Sequence, residues 1–163
     1  MTQVVTTSNE LAMPSFCFHK AFGQNVRLEN NGTKAVRYTS FDHGITFTDK
    51  AININERIHL KIVEVDETRQ WCGSLAIGFT QVDPDTIRQE DLPKSALPNL
   101  STTNKFSYVK RLYETLTKQL CIIFYYNPDG AYFILDGKEQ EICKSIDIKK
   151  PLWAVIDVYG NVK

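Results

Sequence analysis

The apolar positions of this sequence fall in short runs rich in Ile, Val, Phe and Tyr. Each run is bounded by Gly, Pro, Asn or Asp, which is the pattern of half-buried strands separated by turns. Ile45 and Phe47, then Ile52 and Ile54, then Ile58, Leu60 and Ile62 alternate with polar neighbours. The phase slips at Val63 and Val65, which predicts a bulge or a strand buried on both faces. Leu75, Ile77 and Phe79 alternate with Ala76, Gly78 and Thr80, whose small side chains suit a crowded second face. Leu120 to Tyr126 predicts a fully buried strand, and Asn127-Pro128-Asp129-Gly130 a tight turn leading into Tyr132 and Ile134. Asp136-Gly137 accepts positive φ at low cost and predicts a hairpin over residues 130–143. The last strand runs from Leu152 to Tyr159. Leu152, Ala154, Ile156 and Val158 face one way, and Trp153, Val155, Asp157 and Tyr159 the other.

Between Thr80 and Phe106 the pattern becomes a polar connection containing Pro84, Pro93 and Pro98, with at most a short helical turn near Asp85 to Arg88. A connection this long inside a compact domain is more often an ordered functional loop than a linker. Residues 1–14 show little periodicity and are expected to be poorly ordered, leaving 15–163 as one folded domain. Many short strands without a segment of helical period imply an all-β fold, a two-sheet antiparallel β-sandwich.

Composition narrows the possible functions. The chain has 163 residues, and 19 Lys plus Arg balance 19 Asp plus Glu, so there is no basic excess for nucleic acid and no polybasic run for an anionic membrane. No apolar stretch reaches the roughly 18 residues of a transmembrane helix. The first 15 residues lack the basic start and apolar run of a signal peptide, so a cytoplasmic location is expected. Cys17, Cys72, Cys121 and Cys143 are widely spaced, with no Cys-x-x-Cys pair, and read as reduced thiols.

Catalytic readings fare poorly. His19, His43 and His59 belong to no metal-ligand pattern, and Cys17-x-His19 supplies only two ligands. Trp71-Cys72-Gly73-Ser74 has nothing beside it that would lower a thiol pKa. Gly73 to Gly78 lacks the Lys and Ser or Thr of a phosphate loop, there is no Gly-x-Ser-x-Gly elbow, and Glu64, Asp66 and Glu67 read as a solvated turn. No catalytic residue, metal or cofactor is assigned. A sandwich without catalytic groups points to recognition through loops or a sheet face, with aromatic residues as anchors. Candidates are Tyr38, Trp71, Tyr108, Tyr113, Tyr126 and Tyr159, partnered by Arg37 and Arg57.

The order of motifs adds a resemblance. Phe18-His19, Gly23-x-Asn25-Val26-x-Leu28, Arg37 with Ser40-Phe41, Gly44-Ile45-x-Phe47 and Glu56-Arg57-Ile58 are followed by Trp71-Cys72-Gly73-Ser74-Leu75-x-Ile77-Gly78-Phe79-Thr80, Asp83-Pro84 and Leu97-Pro98-Asn99-Leu100. Together with the closing run Pro151 to Gly160, these blocks resemble a Neuralized homology repeat across about residues 16–162. The resemblance implies a sandwich related to SPRY and concanavalin-like domains. It also implies a module that binds substrates or regulators for a ubiquitin ligase or ligase adaptor, most like members with one repeat. The RING or SOCS box that recruits the ubiquitin machinery is expected outside this chain, so the fragment is not expected to be an enzyme. The ligand classes implied are the tail of a Notch ligand and an Asn-containing motif of inhibitor proteins.

The contact surface is expected on the loops at residues 37–44, 68–74 and 126–129, with Arg37, Tyr38, Phe41, His43, Arg69, Trp71, Tyr126 and Asn127 as its binding residues. A carbohydrate-binding, lectin-like sandwich is the alternative. A monomer is expected, with a sheet edge near Lys163 left open to pairing.

Overall fold

The computed structural model describes residues 2–4, 16–66, 75–100, 107–160 and 162. Among them, eleven strands form two antiparallel sheets. In chain order these are β1 (Thr2–Val4), β2 (Val26–Glu29), β3 (Lys34–Arg37), β4 (Ile45–Phe47), β5 (Ile58–Ile62) and β6 (Leu75–Thr80). There follow β7 (Ser107–Leu112), β8 (Cys121–Asn127), β9 (Gly130–Leu135), β10 (Lys138–Cys143) and β11 (Trp153–Val158). The larger sheet has the order β10-β9-β8-β5-β1-β3-β2 and the smaller β4-β11-β6-β7.

The core follows from the alternation. Ile58, Leu60 and Ile62 of β5 and Ile122, Phe124 and Tyr126 of β8 meet Leu75, Ile77 and Phe79 of β6 and Ala154, Ile156 and Val158 of β11 in one buried cluster. Phe79 packs against both Phe124 and Tyr126, with ring centroids 5.6 and 5.1 Å away. The second face of the smaller sheet is also buried. Val155, Ile45 and Phe47 are covered by Leu92, Ala96 and Leu100 from the long connection. That connection begins with two 3-10 turns, Pro84–Thr86 and Gln89–Asp91, and makes an irregular turn at Ala96–Leu100. The molecule is thus a sandwich with a strap laid over its smaller sheet.

Several expectations hold in detail. Asp136 and Gly137 both take positive φ, 49° and 73°, and close the β9–β10 hairpin. Asn127 Oδ1 accepts from the amides of Asp129 and Gly130 at 2.9 and 3.1 Å, which fixes the β8–β9 turn. Others change. The phase slip at Val63 is the end of β5, and Val65 makes only an isolated bridge to Val162. Ile54 lies in a turn closed by Asn55 at φ 63°, so it is exposed and does not continue an alternating strand. Thr2–Val4, within the segment expected to be poorly ordered, pairs with β3 on one side and β5 on the other. The edge strand β10 carries Lys138, Glu139 and Glu141, charges that discourage edge-to-edge association.

Candidate functional site

β3 ends at Arg37, whose side chain is buried and tied to distant backbone. Its Nη2 donates to the carbonyls of Gly160 and Val162, the latter at 2.9 Å, and Nη1 donates to Thr39 O at 3.2 Å. A guanidinium suits this task because its planar fork can hold several oxygens at once. Arg37 therefore fastens the start of the β3–β4 loop to the segment after β11, and its role is to hold the loop in place.

The loop itself is heavily cross-linked. Asn25 is its hub: its Oδ1 accepts from Thr39 Oγ1 at 2.8 Å, its Nδ2 donates to Asp42 O at 2.9 Å, and its amide donates to His43 O at 3.2 Å. Ser40 and His43 both adopt positive φ, 43° and 55°. Ser40 Oγ donates to Asp42 Oδ1 at 2.8 Å, and this hydrogen bond holds the Asp42 carboxyl below the usual range. The His43 amide donates to Lys94 O at 2.7 Å, which joins the loop to the strap. Asn25 is absent from the expected binding residues. Its sequence signal is its place in the Gly23-x-Asn25 motif, where Gly23 lets the backbone pass against His43 O, 2.0 Å from where a Cβ would sit.

Between this loop and the segment after β11 lies a cleft of about 440 Å³, lined by residues 37–41 together with Asp66 and Gly160. Tyr38 and Phe41 at its rim are 55% and 42% exposed. Tyr113, the residue after β7, is 70% exposed. The register Leu112–Leu75–Val158, with Asp157 opposite Ile45, puts Tyr113 at the same end of the sandwich as His43 and Gly160. Three of the four exposed large hydrophobic residues among those described thus gather at this end, and Ile54 is the fourth.

The structure divides the expected site. Arg37, Tyr38, Phe41 and His43 are brought together, with Arg37 and His43 serving the loop's architecture. Tyr126 is removed from the surface: its ring is in the core and its hydroxyl donates to Ile52 O at 2.6 Å. Asn127 spends its side chain on its own turn, and the sheet register separates it from Arg37 by about nine residue rows, roughly 30 Å at about 3.3 Å per residue. The loops at residues 37–44 and 126–129 therefore lie at opposite ends and cannot form one contact surface. Arg69 and Trp71 lie outside the described residues. Cys17 and His19 do not converge as ligands. His19 Nδ1 accepts from the Ala21 amide at 3.0 Å, leaving Nε2–H to donate to Asp85 at 3.3 Å.

On the strap side of β11, Asp157 is buried. Its Oδ2 accepts from the Ala96 amide of the strap at 2.7 Å. Burial pushes its carboxyl up to about 6, against the opposing pull of the Ala96 amide, Arg111 and Arg37. Burial likewise pushes the Tyr159 hydroxyl up to about 12, with the Arg111 guanidinium 5.1 Å from its ring. Because the folded state holds the Asp157 proton more tightly than the unfolded chain does, the stabilising effect of that proton is lost as pH rises from about 4 to 6. A shift of this size corresponds to about 3 kcal/mol. Asp157→Asn, which mimics the protonated form, should therefore gain stability relative to the wild type by about that amount between pH 4 and 7.5. Urea titrations at the two pH values measure it; a difference independent of pH would contradict it.

Comparison with known proteins agrees with the fold. Residues 18–163 match the family model described as Neuralized. The chain is 38% identical to Protein neuralized of Drosophila melanogaster over 91% of its own length and 20% of that protein. It is 36% identical to the E3 ubiquitin-protein ligase NEURL1B of Mus musculus over 88% of this chain and 26% of that protein. It is 34% identical to the human E3 ubiquitin-protein ligase NEURL3 over 90% of this chain and 56% of that protein. The chain thus spans between a fifth and just over half of the length of these relatives. The crystal structure of the Drosophila melanogaster neuralized-nhr1 domain superposes with a TM-score of 0.84 at 36% identity, covering 93% of this chain and 96% of that one. The solution structure of the NHR domain in Neuralized from the same fly gives 0.80 at 35% identity, covering 97% and 92%. The matched family model and these relatives place the chain in the Neuralized family, as one NHR domain.

Proposed function

We propose that the chain recognises polypeptide substrates or regulators for a Neuralized-type ubiquitin ligase, and that it does so at the end of the sandwich bearing Tyr38, Phe41 and Tyr113. The observation that carries this reading is the gathering of these exposed aromatic residues at one end of the sandwich, where Tyr38 and Phe41 line a cleft whose loop is held by Arg37 and Asn25. Rigid aromatic side chains on a braced loop give contact area at low conformational entropy, which is how binding hot spots are built. The neutral charge balance favours a polypeptide over nucleic acid or an anionic membrane. By family resemblance, the ligands are the tail of a Notch ligand or an Asn-containing inhibitor motif, encountered in the cytoplasm. The scattered cysteines favour a ligase module outside this chain.

Affinity capture from cell lysate, quantified by mass spectrometry, tests the site. A Tyr38→Ala/Phe41→Ala/Tyr113→Ala variant should lose captured partners by about 10-fold or more while unfolding at the wild-type temperature. An unchanged partner profile in the folded variant would sink the assignment.

A further inference from the structure

The outward face of the larger sheet carries a patch at a distance from the cleft. Side chains of β5, β8 and β9 alternate between the core and this face, so the register sets His59, Ile123, Ile134 and Glu139 in one row across four strands. The row two residues along holds Tyr125, Tyr132 and Glu141, with Arg57 lying 5.3 Å from the Tyr125 ring. Ile123, Tyr125, Tyr132 and Ile134 are half-buried, and the two tyrosine rings are 5.6 Å apart. Over the four strands β5, β8, β9 and β10, the charges on this face are separated by sign. Arg57 and Lys61 stand on the β5 margin, Glu139 and Glu141 on the β10 margin, and the residues that β8 and β9 present between them are Cys121, Ile123, Tyr125, Asn127, Tyr132 and Ile134. Burial and Arg57 together lower the His59 pKa, so it adds no charge to the basic margin at neutral pH. Tyr125 donates to Glu139 at 2.6 Å, which holds one acidic side chain over the patch.

A face that is basic along one side, apolar in the middle and acidic along the other is complementary to itself. We propose that a second copy of this chain docks on it, face to face, about a two-fold axis parallel to the strands. That axis lays Arg57 and Lys61 of each copy over Glu139 and Glu141 of the other and brings the Ile and Tyr rows together at the centre. An in-plane axis perpendicular to the strands would set like charges opposite one another. Four strands spaced about 4.8 Å apart and about six residues long offer roughly 400 Å² per copy, about half the area of a standard interface. The dimer is accordingly weak, with a Kd of roughly 0.1 to 1 mM.

Sedimentation equilibrium of the 163-residue chain tests this. The wild type should associate as its concentration rises toward about 1 mM, and less so as salt is raised from about 0.05 to 0.5 M. Arg57→Glu/Lys61→Glu makes both margins acidic, and Glu139→Lys/Glu141→Lys makes both basic. Each variant alone should associate at least about 10-fold more weakly than the wild type, and their equimolar mixture should recover the wild-type strength or exceed it. A wild type that stays monomeric to about 1 mM, or that associates without regard to salt, overturns the proposal and leaves the face to another occupant. So does a mixture of two variants with native circular dichroism that associates no better than either alone.

Discussion

Gly44→Ala is expected to destabilise the domain by about 4 kcal/mol or more, lowering its melting temperature by roughly 10 °C. Gly44 joins the loop of the cleft to β4, and its backbone passes so close to β11 that a Cβ would lie 1.9 Å from Val158 O and 3.3 Å from Asp157 Oδ1. The obstacle is backbone, so no side-chain rotation relieves it. Either β4 moves away, breaking the 3.0 Å bond from the Val158 amide to Gly44 O, or β11 does, displacing Asp157 from the strap. Both routes open the core where the two faces of β11 are buried. Differential scanning calorimetry measures the loss, and a shift of less than about 2 °C would mean that the strands part without cost.

Removal of the Arg37 side chain should have an effect of similar size. Arg37→Met keeps much of the apolar stem and deletes the donors to Thr39, Gly160 and Val162. Buried acceptors left without partners, together with the lost tether between β3 and the segment after β11, should cost about 3–5 kcal/mol in urea unfolding. Arg37→Lys should recover less than half, because a single ammonium cannot reach three carbonyls as the fork does. A loss below about 1 kcal/mol for Arg37→Met would show that water replaces the guanidinium at those carbonyls.

The difference between Arg37 and Phe41 shows how far the sequence could be read. Period-two alternation identified β4, β5, β6 and β11, and Asp136-Gly137 identified the hairpin, because burial on one face and positive φ leave local traces. The burial of Val155 under Leu92 and Ala96 left none, since the covering strap is a polar, proline-interrupted segment without periodicity. The candidate site was legible by residue type but not by position. Arg37 and Tyr126 are polar-tipped residues near strand ends like Tyr38, yet tertiary contacts turned the first two inward and left Tyr38 outside. Asn127 and Phe41 occupy similar loops in sequence, and only the strand register shows that they lie at opposite ends.

The placement of β1 bears on how the molecule assembles. β3 and β5 share no ladder, so the larger sheet becomes continuous only when Thr2 lies opposite Ala35 on one side and Ile62 on the other. Those pairings close long loops, whose entropic cost must be met before any packing returns it. The hairpins β2–β3 and β8–β9–β10 are local and can form early. Joining the β2–β3 hairpin to the half formed by β5, β8, β9 and β10 through the three residues Thr2–Val4 is then expected to be a late step.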